Sequence, residues 1–291
     1  MIYKTKADWD NAAHKRVALF GMSGLGKTHV ANMLRRGGRG GGGWFHYSVD
    51  YRIGTRYMGE FIVDNFKREA MKNRFLAELL KKDSIDISSN ISFEDLAPLS
   101  TYLGKPGDAA KGGLKFEEYM RRLAQHKLAE INALSDTGHF INRAQSLYNY
   151  ENFICDTGGS ICEVVDPDDK NDPVLQHLSQ NLLLVWIKGT DDHADQLIKR
   201  FNDDPKPMYY PPEIMRAMWQ DYLAEKNVSA DKVDPNDFIR WGYAKALQHR
   251  QPRYQSMADN WGISIDAADV AHLKTADDFI ALIGRAIEQA D

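Results

Sequence analysis

Residues 21–28 read Gly21-Met22-Ser23-Gly24-Leu25-Gly26-Lys27-Thr28, the pattern G-x-x-x-x-G-K-[ST] in full. Each part answers a demand of phosphate chemistry. Gly21, Gly24 and Gly26 let the backbone wrap an anion with its N–H groups turned inward. Lys27 offers an ammonium to β- and γ-phosphates, and Thr28 offers a hydroxyl to Mg²⁺. The helix expected to begin here adds the positive end of its dipole. The apolar run Val17-Ala18-Leu19-Phe20 precedes the loop as a buried strand. The spacing therefore predicts binding of a nucleoside triphosphate, with ATP and Mg²⁺ as cofactors and Thr28 as a metal ligand.

The direction of transfer turns on what accompanies that loop. A strand candidate later in the chain ends Phe153-Ile154-Cys155-Asp156, followed by Thr157-Gly158-Gly159-Ser160. Asp156 is a second candidate ligand for Mg²⁺, directly or through water; an Asx turn into the glycines is its plainer use. No Glu stands beside it to prime a water molecule, which favours transfer to a substrate hydroxyl over hydrolysis. Lys188-Gly189-Thr190-Asp191 superficially matches a guanine reader, but no D-x-x-G switch accompanies it.

The elements that must position these residues alternate between strand and helix. Strands are expected at Arg16–Gly21, Trp44–Val49, Asn152–Cys155, Asn181–Lys188 and Gly262–Ile265. Helices are expected at Lys27–Arg35, Tyr57–Lys72, Lys115–Leu134, Asp191–Phe201, Pro212–Lys226, Pro235–Asp259 and Asp277–Gln289. Short apolar strands separated by helices imply a parallel sheet covered on both faces. The fold class is α/β, a P-loop NTPase three-layer sandwich with a parallel sheet and a helical insertion. The whole chain, 1–291, reads as one such domain, with residues 72–150 inserted between the second and third strands. Gly37–Gly43 reads as a flexible connector.

Composition narrows the class. With 37 Lys+Arg against 41 Asp+Glu, the net charge of −4 draws the chain to neither nucleic acid nor membrane. Two cysteines, Cys155 and Cys162, make no disulfide framework, and their spacing lacks the further ligands of a zinc site. The nine histidines fall into no metal-binding spacing. The apolar runs at 17–22 and 181–187 are far below the roughly 18–20 residues that span a bilayer, and the first ten residues carry no signal-peptide pattern. These features predict a cytoplasmic protein.

Several further pieces, in order, resemble the shikimate kinase branch of P-loop small-molecule kinases. Ser48-Val49-Asp50-Tyr51-Arg52-Ile53 is similar to that family's D-x-D-x-x-I stretch, with Ser48 in place of a metal-linked Asp. Thr157-Gly158-Gly159-Ser160 resembles its glycine turn. Arg200 and Lys206-Pro207-Met208-Tyr209 fall where the family keeps a lid. Arg250-Gln251-Pro252-Arg253-Tyr254 matches R-x-P-x-Y, and Gly262–Asp266 with Asp277–Ile287 resembles the closing strand and helix. The resemblance covers about two thirds of the chain and leaves the insertion and parts of Pro212–His249 unmatched.

The resemblance implies a kinase moving the γ-phosphate to a hydroxyl of a small, anionic acceptor. Asp50 would orient or deprotonate that hydroxyl, and Gly158, Gly159, Ser160 and Arg250 would bind the acceptor, with Arg253 an alternative to Arg250. Arg200 and Lys206 would close over the phosphates. Arg52 and Arg56 are further anion readers, whereas Arg121 and Arg122 read first as a solvated helix face. The insertion would enlarge the acceptor pocket, contact a protein partner or form a homodimer. Two other classes stay open. One is a regulatory ATPase whose insertion binds a partner. The other is a nucleotide or RNA-end kinase, which would place Arg52, Arg56, Lys67, Arg68 and Arg121 on one basic surface.

Overall fold

The structure, a computed structural model, describes residues 1–36, 43–207 and 209–290. Most of the glycine run at 37–43 and Met208 of the expected lid fall outside the described residues. Five parallel strands form one sheet: β1 (Arg16–Phe20), β2 (Trp44–Ser48), β3 (Asn152–Asp156), β4 (Leu183–Lys188) and β5 (Gly262–Asp266), in the order β2-β3-β1-β4-β5. The three inner strands are buried almost throughout, as their runs of Val, Leu, Ile, Ala and Phe require once helices cover both faces.

β1 pairs with β3 on one side and β4 on the other. The chain leaves β1 for the β2 edge, returns to fill in β3, and then winds the opposite way through β4 and β5. The winding reverses at β1, and the crevice beyond its carboxyl end is where open α/β sheets hold ligands.

The first half of the helical set is α1 (Lys6–Asn11), α2 (Lys27–Arg36), α3 (Val49–Arg52), α4 (Gly59–Ala70), α5 (Arg74–Lys81), α6 (Ala97–Leu103), α7 (Phe116–Ser135) and α8 (Thr137–Tyr148). The rest is α9 (Ile161–Val164), α10 (Pro173–Asn181), α11 (Asp191–Asp203), α12 (Pro212–Lys226), α13 (Pro235–Trp261), α14 (Ala267–Ala271) and α15 (Ala276–Ala290). Helices α2, α8, α10, α14 and α15 pack on the sheet.

Where the expected ends were off, local chemistry explains it. Gly21 leaves the strand because its φ of +131° opens the loop. Val49 begins α3 instead of ending β2. Asn181 closes α10 and Leu182 caps it, so the strand starts at Leu183. The helix expected from Tyr57 starts at Gly59, after a π-helical turn at Ile53–Tyr57.

The chain divides into two compact units. The first comprises Met1–Val49, Ile131–Asp204 and Gly242–Asp291, and holds the whole sheet; the second comprises Asp50–Glu130 and Pro205–Trp241. The second unit is helical and has its own core: Phe116 stacks on Trp219 at 4.7 Å, and Trp219 and Tyr222 meet Phe238 edge-on. Inside it Arg122 is buried, donating to Glu118, to Asn65 and to the Tyr102 carbonyl. Among the described residues no helix is long and apolar enough to cross a membrane.

Candidate phosphate-binding site

The loop between β1 and α2 is built on three glycines with positive φ: Gly21 at +131°, Gly24 at +87° and Gly26 at +99°. Space as well as torsion demands glycine at the first. A Cβ on Gly21 would lie 2.8 Å from the Ile187 carbonyl oxygen in β4. Lys27 is 6% exposed, and its Nζ donates to the Gly21 and Met22 carbonyls at 2.8 and 2.9 Å. The loop thus curls around its own ammonium group at the amino end of α2.

Asp156 ends β3 beside this loop. The register sets it opposite Leu19 of β1 and Ser48 of β2. Thr28 Oγ1 donates to Asp156 Oδ2 at 2.7 Å. Burial pushes the Asp156 carboxyl above its ordinary pKa, while the Lys27 charge and the Thr28 bond oppose that rise. His46 of β2 places Nε2 4.0 Å from the same oxygen. Burial, with the Arg35 charge nearby, holds that imidazole down at about 4, so it faces Asp156 neutral at pH 7. Asp156 and Thr28 are the two expected metal ligands, and they lie together.

The glycine turn after β3 packs on the loop. Thr157 bonds back to the Leu19 carbonyl through both its N–H and its hydroxyl. A Cβ on Gly159 would approach Ser23 Oγ to 3.1 Å. On the other side, a Cβ on Gly24 would lie 3.4 Å from an Nη of Arg200, in the last turn of α11. Arg200 and Arg250 both lower the pKa of Tyr243, which burial raises above its ordinary value. Of these two expected cations, Arg200 is the one placed against the phosphate loop.

Arg250 is placed differently from an open anion reader. It is 4% exposed, and its Nε donates to Glu163 Oε1 at 2.8 Å. Arg253 is likewise engaged, donating to the Cys162 and Val165 carbonyls at 2.6 and 2.7 Å. Glu163 escaped sequence reasoning. Its signal was present: it is the sole charge between Asp156 and Asp166, set among Ile161, Cys162, Val164 and Val165, and a lone acid in such a run is buried against a partner. Cys162 beside it is buried, its thiol pushed up to about 12, and so is an inert thiol.

Asp50, Arg52, Arg56 and Lys206 lie in the second unit. Asp50 and Arg52 are half-buried in α3, two and four residues after the end of β2, and Arg52 sits 5.5 Å over the Tyr57 ring. Arg56 and Lys206 are exposed. Of the five cations of the RNA-binding alternative, Lys67 pairs with Asp86 at 2.9 Å and Arg121 grips Glu118 through two nitrogens. The guanine-reader match dissolves into a helix start, because Thr190 caps α11 in a reciprocal box with His193.

No protein-family profile matches the chain, and no curated protein matches it. Solved structures do match, among them a shikimate kinase from Bacteroides thetaiotaomicron. The identity is 14%, 94% of this chain and 95% of that chain are covered, and the TM-score is 0.37. A likeness of that extent assigns neither substrate nor residue role.

Proposed function

We propose that the chain is an ATP- and Mg²⁺-dependent phosphotransferase that moves a γ-phosphate to a hydroxyl of a small, anionic acceptor. One observation carries the reading. A hydroxyl and a carboxylate meet at 2.7 Å, at the mouth of a glycine loop wrapped around a buried ammonium. Loop amides and Lys27 bind the phosphates, and the α2 dipole adds to their field.

The donor set fits a hard divalent cation, since Thr28 and Asp156 supply oxygen only and sit in contact. Among the described residues no group of three or more His, Cys, Asp or Glu could hold a metal by itself, so water and phosphate oxygens would complete the shell. When bound, Mg²⁺ neutralises charge on the transferring phosphoryl group. Arg200, beside Gly24, adds a second positive group there and helps exclude water. Asp50 follows β2 by two residues in the chain, and we assign it the acceptor hydroxyl, to be oriented or deprotonated. Arg52, Arg56 and Lys206 supply further anion contacts, and the helical segment 72–150 supplies acceptor specificity.

The test is ATP consumption with Mg²⁺, alone and with fractionated metabolites or RNA, with Lys27→Ala as control. Stimulation by one metabolite fraction, absent in the variant, supports the kinase. Slow ADP release indifferent to every fraction would replace it with a regulatory ATPase, and stimulation by RNA alone with an RNA-end kinase.

A further inference from the structure

Helix α13 is 27 residues long and carries Pro252 in its interior. Proline has no N–H for the carbonyl four residues back and crowds it, so the helix is weakest there. The residues around this weak point reach out in several directions. Arg250 donates to Glu163, Gln251 Nε2 approaches Met22 Sδ at 2.7 Å, Arg253 donates to the Cys162 and Val165 carbonyls, and Tyr254 donates to the Gly159 carbonyl. Met22 belongs to the phosphate loop and Gly159 to the turn that touches Ser23. One stretch of one helix therefore grips both walls of the phosphate site.

Among these contacts Glu163 is the charged partner. Its side chain is fully buried, and Oε2, with no hydrogen-bond partner among the described residues, lies 3.4 Å from His249 Nε2. A buried ion pair of this kind is a poor source of stability, because apolar side chains of similar volume generally do as well or better. What apolar side chains lack is direction. Carboxylate and guanidinium fix each other's angle, and together with the bonds of Arg253 to the Cys162 and Val165 carbonyls they orient α9, which is only four residues long.

We propose that Glu163 is a positioning residue of the phosphate site: through Arg250 it holds residues 250–254 in the setting that presses Met22 and Gly159 into place. The nucleotide part of this inference rests on the phosphotransferase reading; the mechanical part does not.

Hydrogen exchange on the unliganded protein separates the two. Glu163→Gln is expected to speed amide exchange about tenfold or more in segments 21–26 and 158–165, with little change in β4 and β5. Glu163→Met/Arg250→Met should keep the melting temperature near wild type and show the same local loosening, and Glu163→Asp should restore part of the protection. In turnover, KM for ATP should rise about tenfold while kcat falls less. Unchanged exchange at 21–26 in either folded variant overturns the proposal. So does failure of both Glu163→Gln and the double variant to fold, which would make the pair a plain structural need. If exchange responds as expected but the wild type neither binds nor turns over ATP, the positioning role stands and the nucleotide reading falls.

Discussion

On the proposed reading, Thr28 Oγ1, Asp156 Oδ2 and Lys27 Nζ are the atoms on which the phosphate site depends. Removing them one at a time should give different signatures. Lys27→Ala deletes an ammonium that sits against two loop carbonyls. It should abolish turnover and weaken a fluorescent ATP analogue by about a hundredfold, the effect of losing a charge-assisted contact of about 3 kcal/mol. Asp156→Asn is the sharper case. Burial already presses this carboxyl toward its neutral form, so the free protein gains when the charge is removed. The variant should melt at or above the wild-type temperature without Mg²⁺, yet lose most Mg²⁺-dependent turnover. Calorimetry with and without Mg²⁺ reads both halves, and a variant less stable without Mg²⁺ would show that Asp156 holds the fold together. The pairing of Glu163 with Arg250 shows the limit of reading such contacts from sequence. The phosphate-loop residues announce themselves by a pattern contiguous in the chain. The Glu163–Arg250 pair joins residues eighty-seven positions apart, and no local spacing encodes it.

At the scale of elements, the inner strands of the sheet were legible because they are short apolar runs buried on both faces, and β5 because Ile263 and Ile265 alternate with exposed residues. Long helices such as α7, α12 and α13 were legible because polar breaks bound them. The elements that went unread one by one are short or weakly patterned: α1, α3, α5, α6, α8, α9, α10 and α14. Their stability comes from caps and packing. Asp172 illustrates this, accepting from the Val174 and Leu175 amides at the start of α10 and from the Asp166 amide of the preceding turn. Asp172→Ala should cost about 1–2 kcal/mol, since three amides lose their acceptor at once. A urea midpoint unmoved by the change would mean the turn holds itself. The phosphate loop is likewise an element-level object. Gly21→Ala would force a Cβ against the Ile187 carbonyl in an adjoining strand while keeping φ near +131°. That strain should destabilise by about 1–3 kcal/mol or flatten the loop. A rise in KM for ATP exceeding that of Ser23→Ala, in an exposed part of the same loop, would locate the cost in the backbone and not in a lost side chain.

For the molecule as a whole, acid is the condition that tests both compact units together, because each buries one histidine. His46 lies in the first and His126 in the second, and burial holds both imidazoles down at about 4 against an ordinary 6.5. Each is neutral when folded and takes up a proton on unfolding anywhere between those values. The unfolded state then binds more protons, so stability falls as pH falls below 6.5 and levels off near 4. The limiting slope is about 1.4 kcal/mol per pH unit for each group. His126 has an added constraint: Glu130, also fully buried, lies 3.8 Å from its Nδ1, and their shared burial ties the second unit's core to the neutral ring. His126→Gln should flatten the acid dependence of the second unit's unfolding and His46→Gln that of the first. Exchange in α4–α6 reads the second unit, and exchange in β1 and β3 reads the first. If the units unfold independently, each substitution flattens only its own set of amides between pH 7 and 5. If either substitution flattens both sets equally, the two units share a single cooperative transition, and a drop in the stability of one lowers the occupancy of the phosphate loop in the other.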